Sequence, residues 1–201
     1  MTSDVYKTIE AISEGYITEQ RSKFISYAIP VRTPEEVKEK IDAFRKQYYD
    51  ACHVCWAYML GVERKQFRIN DDGEPSSTAG KPILGVINSQ VLTDVIIVVV
   101  RYLGGVKLGT SGLTAAYRAA AFDAISNAKI IEKTVDEKIS ITFAYPLLND
   151  VMKIVKEINS QIIAQKLEME CEMTLQIRQS EMEKMKERLL KVETLIVTND
   201  K

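Results

Sequence analysis

Residues 70–113 read NDDGEPSSTAGKPILGVINSQVLTDVIIVVVRYLGGVKLGTSGL, and the fold turns on their reading. Val95 to Val100 are six consecutive β-branched residues with no polar side. Such a run is strand-length and predicts a central strand covered over most of its surface. Before it, an acidic turn (Asp71, Asp72, Glu74) leads to a short helix expected to open at Pro82. After it, Arg101 and the loop RYLGGVKLGTSG lead into a second helix starting near Thr110 or Ser111. That helix carries Leu113, Ala116, Tyr117, Ala120, Ala124 and Ile125 on one stripe, and its alanines permit close approach to a sheet. Gly104, Gly105, Gly109 and Gly112 are expected to supply backbone conformations that other residues resist. Two loops rich in glycine and charge thus flank one buried strand, a placement that favours function.

Working outward, Phe24 to Val31 has strand composition and length. Thr33, Pro34 and Glu36 then mark a helix start with a capping box, followed by Val37, Ile41, Phe44 and Tyr48 at helical spacing. Val54 to Leu60 reads as a strand, with Gln66 to Ile69 as its short partner. After Glu132 the pattern changes. Glu137 to Tyr145 is a strand, and Pro146 opens a helix. Ile162 to Met169 and Glu172 to Arg178 pair around a turn near Glu170. Ser180 is expected to cap a last helix, with Glu183 at the capping-box position, and Thr194 to Thr198 closes as a strand. This βαββαβ order is the split βαβ plan. The expected fold class is therefore α+β with two domains: a mixed α/β sandwich over 1–134 and a ferredoxin-like domain over 135–201, the boundary falling near 132–137.

The chain has 27 basic and 28 acidic residues, so global charge gives no support to tight, non-specific nucleic-acid binding and leaves only local basic patches to do it. No apolar run approaches the roughly 20 residues of a membrane span. The N-terminus lacks a basic region followed by an apolar core, and three cysteines build no disulfide framework. The expected setting is the cytoplasm, with no membrane partner.

His53 and Cys55 share one strand face with Ala57, opposite Val54, Trp56 and Tyr58. A Cys–His pair raises a nucleophile, but no third group orients the imidazole, so a structural histidine competes with a catalytic one. Structural zinc wants four ligands, whereas Cys52-His53-Val54-Cys55 offers three crowded ones. Asp71, Asp72 and Glu74 could hold a hard cation, yet they lack the spacing of a calcium loop and fit a hydrogen-bonded turn. No metal, cofactor or catalytic residue is assigned. The strand–loop–helix unit could take an anion at the helix start, with Arg101 and Lys107 adding charge. Its sequence is neither a Walker A loop nor a G-x-G-x-x-G fingerprint, and a purely structural glycine turn fits equally.

At RSKFI (21–25), HVCWAY (53–58), DDGEPSSTAGKPIL (71–84) and VVVRYLGGVKLGTSGL (98–113) the chain resembles the bacterial members of the IMPACT family, of the YigZ and YvyE type. The resemblance implies an N-terminal domain like the second domain of a small-ribosomal-subunit protein. It also implies a C-terminal domain like the ferredoxin-like modules of elongation factor G. Both point toward RNA or ribosomes. Eukaryotic relatives restrain the amino-acid-starvation kinase through its activator protein by means of an additional N-terminal module. The matching segments here begin near residue 19, so that role is not expected to transfer. One departure is Ser111, where the family usually has glycine; a positive φ there would make serine costly.

The leading expectation is a cytoplasmic, translation-associated regulatory or binding protein that contacts RNA or a ribosomal partner, with no catalysis assigned. A protein partner on the C-terminal domain is a further expectation. The alternative is an enzyme or sensor for a small phosphorylated or anionic ligand held between the DDGEP and RYLGGVKLGTSG loops. The binding residues expected for either are Arg21, Lys23, His53, Asp71, Asp72, Glu74, Arg101, Lys107, Thr110 and Ser111.

Overall fold

In the computed structural model, which describes residues 3–198, the chain divides into two compact units. The first is Tyr6–Lys133; the second takes the chain from Thr134 onward together with its start through Val5. Asp4 and Val5 therefore belong with the second unit, although the sequence pattern assigns them to the first. The reason is chemical: Arg178 grips the Asp4 carboxylate with two hydrogen bonds of 2.8 Å, and the Ser180 N–H donates to it at 3.0 Å.

The first unit runs β1 (Val5–Ile9), β2 (Ser13–Glu19), β3 (Ser22–Pro30), α1 (Pro34–Gln47), β4 (His53–Leu60), β5 (Gln66–Asn70), α2 (Gly80–Ser89), β6 (Val95–Tyr102), α3 (Gly109–Ser126) and β7 (Ile130–Thr134). Five strands form an antiparallel sheet in the order β2-β3-β6-β4-β5, with β6 in the middle. Strand alternation sends Val95, Ile97 and Val99 into a core with residues of α2 and α3. Ile96, Val98 and Val100 pack on the other face with Val37 and Ile41 of α1. All six are fully buried, each stabilising the fold by about 1.5–3 kcal/mol relative to exposure. The sheet is antiparallel yet covered on both sides, which is why β6 has no polar face.

Helix ends follow local chemistry. The Thr33 hydroxyl accepts from Glu36 N–H at 3.2 Å, while the Glu36 carboxylate accepts from Arg32 N–H rather than from that of Thr33. α2 begins two residues before Pro82, because Asp71 accepts the N–H groups of Ala79 and Gly80 from a distance in sequence. Pro82 then sits in the first turn, where its missing N–H costs no helical bond. β1 and β7 pair with each other in a two-stranded sheet. The sequence pattern missed both, along with β2.

The second unit continues as β8 (Asp136–Ala144), α4 (Leu148–Glu157), β9 (Gln161–Leu167), β10 (Glu170–Arg178), α5 (Met182–Leu189) and β11 (Ile196–Thr198). Its sheet order, β11-β8-β10-β9, is that of a ferredoxin-like module, and both helices share its core with Ile139, Ile141, Phe143 and Leu175. Three expectations shift. Pro146 lies in a 3₁₀ turn, Tyr145–Leu147, and α4 starts after it. Glu170 opens β10, so the turn sits at residues 168–169. Ser180 does not cap α5, since Gln179–Glu181 is a second 3₁₀ turn and the Ser180 N–H is spent on Asp4.

Candidate functional site

DDGEP follows β5 and folds back over the start of β4. Asp71 acts as a remote cap: Oδ1 accepts from Ala79 N–H (3.1 Å) and Gly80 N–H (2.8 Å), and Oδ2 from Ser77 N–H (2.9 Å). Asp72 Oδ2 accepts from Val54 N–H at 2.7 Å, which ties the turn to β4. Its other oxygen lies 3.7 Å from half-exposed Arg45, a pair worth little in water. These two carboxylates thus hold backbone donors where a hard cation would need free oxygens.

Glu74 does something else. It is 8% exposed, and its Oε1 accepts from Arg101 Nη1 at 2.6 Å and from the Tyr117 hydroxyl at 2.7 Å. Arg101 is the penultimate residue of β6, Tyr117 lies on the buried face of α3, and Glu74 comes from the acidic turn. The three residues therefore bind a turn, a strand and a helix at one point. Arg101 also reaches Ser22 Oγ at 3.5 Å, lies over the Phe24 ring at 5.6 Å and leaves Nε without a hydrogen-bond partner. Sequence reasoning missed Ser22 and the polar role of Tyr117, whose helical stripe position marked it only as core.

His53 gains the orienting group that the sequence did not show. Its Nδ1–H donates to the Asp72 main-chain carbonyl at 2.7 Å, which leaves Nε2 3.8 Å from Glu74. Cys55 is fully buried; its thiol donates to the Asp71 carbonyl at 3.1 Å and lies 3.4 Å from the Tyr117 hydroxyl. Burial pushes that thiol up to about 12, and burial likewise raises the Tyr117 hydroxyl far above its ordinary value.

The glycine loop has two kinds of glycine. Gly105 and Gly109 have φ of +81° and +71°, which other residues resist. Gly104 is needed for space: a Cβ there would fall 2.1 Å from the Arg21 carbonyl carbon. Gly112 does neither, being an ordinary helical residue of α3. Ser111 is also helical and has no positive φ, so serine carries no backbone strain.

Beside the start of α3 lies a cleft of about 470 Å³. Glu74, Arg101, Lys107 and Thr110 line it; His53, Asp71, Asp72 and Ser111 do not. Arg21 and Lys23 flank a separate hollow with Tyr102, and Leu103 lines both. The expected residues thus fall into four groups: a backbone-tying turn, a buried ion pair with its histidine, three exposed cations, and Thr110 with Ser111 in the first turn of α3.

A covered antiparallel sheet locked by a Glu–Arg–Tyr cluster, in a chain that also carries a ferredoxin-like unit, defines a two-module α+β protein. A family model described as the Impact N-terminal domain matches residues 20–125. The chain is 34% identical over 152 residues to the IMPACT family member YvyE of Bacillus subtilis, covering 76% of this chain and 70% of that protein. It is 31% identical over 146 residues to YigZ of Escherichia coli, covering 72% of each. A crystal structure described as that of a hypothetical protein shares the fold at a TM-score of 0.72 and 24% identity, over 98% of both chains. The chain belongs to the IMPACT family.

Proposed function

We propose that this chain is a non-catalytic, translation-associated binding protein of the cytoplasm that contacts the phosphates of RNA. The observation that carries the reading is how charge is distributed around the signature. Glu74, Asp71 and Asp72 are consumed by internal bonds. Arg21, Lys23 and Lys107 remain exposed around Leu103, with no ion pair among the described residues. Unneutralised cations beside an uncapped helix start suit phosphate contact, whereas the buried thiol and phenol, both raised by burial, do not suit nucleophilic attack at neutral pH. The family resemblance supports the link to translation. Three free cysteines fit a reducing compartment. No helix among the described residues is long and apolar enough to cross a membrane.

The test is binding to a structured ribosomal RNA fragment across a salt series. Affinity is expected to fall with salt at a log–log slope of about −2 to −3, and replacing Arg21, Lys23 and Lys107 together by alanine should flatten it. Absence of RNA binding at low salt, with equal recovery in ribosome-free fractions, rejects the reading.

A further inference from the structure

The cleft beside α3 has a composition that phosphate contact alone does not explain. Its volume of about 470 Å³ falls in the range of small-molecule sites. The walls are aliphatic, built by Pro75, Leu103, Val106, Leu108 and Leu113. Leu103 is 57% exposed and Val106 43%, so this apolar surface faces solvent. Polar groups gather at two places. One is the ion pair of Arg101, 5% exposed, with Glu74, both part of the lining; the Arg101 Nε–H is buried without an acceptor. The other is exposed Lys107 with the start of α3, an 18-residue helix with no side-chain cap and no acidic residue in its first turn. Lys107 and the helix start favour a negative charge, while the closed Arg101–Glu74 pair adds no net charge to the lining.

We propose that this cleft binds a small amphiphilic anion. A short aliphatic body lies against Leu103, Val106 and Leu113, and a carboxylate or phosphate head meets Lys107 and the first amides of α3. This goes beyond RNA contact, since a backbone phosphate needs the positive groups but not the aliphatic walls. A nucleobase is a poorer occupant, because bases stack on aromatic rings and no aromatic residue lines the cleft.

The experiment titrates the full chain with acetate, hexanoate, hexyl phosphate and hexanol at constant ionic strength, by calorimetry and by amide NMR. Hexanoate is expected to bind more tightly than acetate, by about 3- to 4-fold per buried methylene, and to shift the amides of Gly109 and Thr110. Lys107→Gln should weaken both anions about 2- to 5-fold and leave hexanol unchanged. Leu103→Asn combined with Val106→Asn, both at exposed positions, should abolish the chain-length dependence while RNA binding persists. Tighter hexyl phosphate would assign a phosphate head, and tighter hexanoate a carboxylate. Equal affinity for acetate and hexanoate, unmoved Gly109 and Thr110 amides, or indifference to Lys107→Gln would overturn the proposal. Because the RNA titration is separate, either reading can fail without the other.

Discussion

Glu74 accepts from Arg101 and Tyr117 in a place almost closed to water, so its charge is stabilising only while both partners stay. Removing one member leaves the other charge buried and alone. Glu74→Ala is expected to cost about 3–5 kcal/mol, measured as a shift in urea unfolding. Replacing both, as Glu74→Leu with Arg101→Met, should recover most of that loss, because an apolar pair of similar volume avoids the desolvation cost. If the double variant is as unstable as the single one, the pair is not the main term. At this scale the sequence singled out these residues and was silent on which meets which. Asp71, Asp72 and Glu74 sit within four positions, yet one caps a helix, one ties a strand and one pairs with arginine. Only their placement against Gly80, Val54 and Arg101 separates those roles.

The elements themselves were largely legible. Val95 to Val100 announced a central strand, and Thr33 with Pro34 announced α1, because each signal lies within a few residues. β1 and β7 were not, since each is only five residues long and carries no long apolar pattern. Ser180 looked like a cap and is instead part of the element lock around Asp4. Arg178 holds the Asp4 carboxylate well below its ordinary range. A carboxylate with a lowered folded pKa contributes stability that is present above its unfolded value, near 3.9, and is lost as pH falls further. The wild-type second unit should therefore lose thermal stability more steeply between pH 5 and pH 2 than an Asp4→Asn variant, which starts lower. Parallel pH profiles would remove Asp4 from the acid response.

Three cores, one on each face of the sheet around β6 and one around β8 and β10, fall in two units and make two cooperative transitions the expectation for the whole molecule. Trp56, the only tryptophan, lies in the first unit, while far-UV circular dichroism sees both. Urea transitions followed by the two probes are expected not to coincide, and coincident curves would mean that the units unfold as one. By itself the sequence determined the α+β class, the order of most elements and the family, since periodicity, caps and contiguous motifs are local properties of the chain. Tertiary structure alone decided what residues 70–113 do. It spent two carboxylates on backbone, buried the third against Arg101 and Tyr117, and left Lys107 beside an aliphatic cleft. Those outcomes depend on contacts between residues 22, 53, 74, 101 and 117, and no local signal encodes distances across such separations.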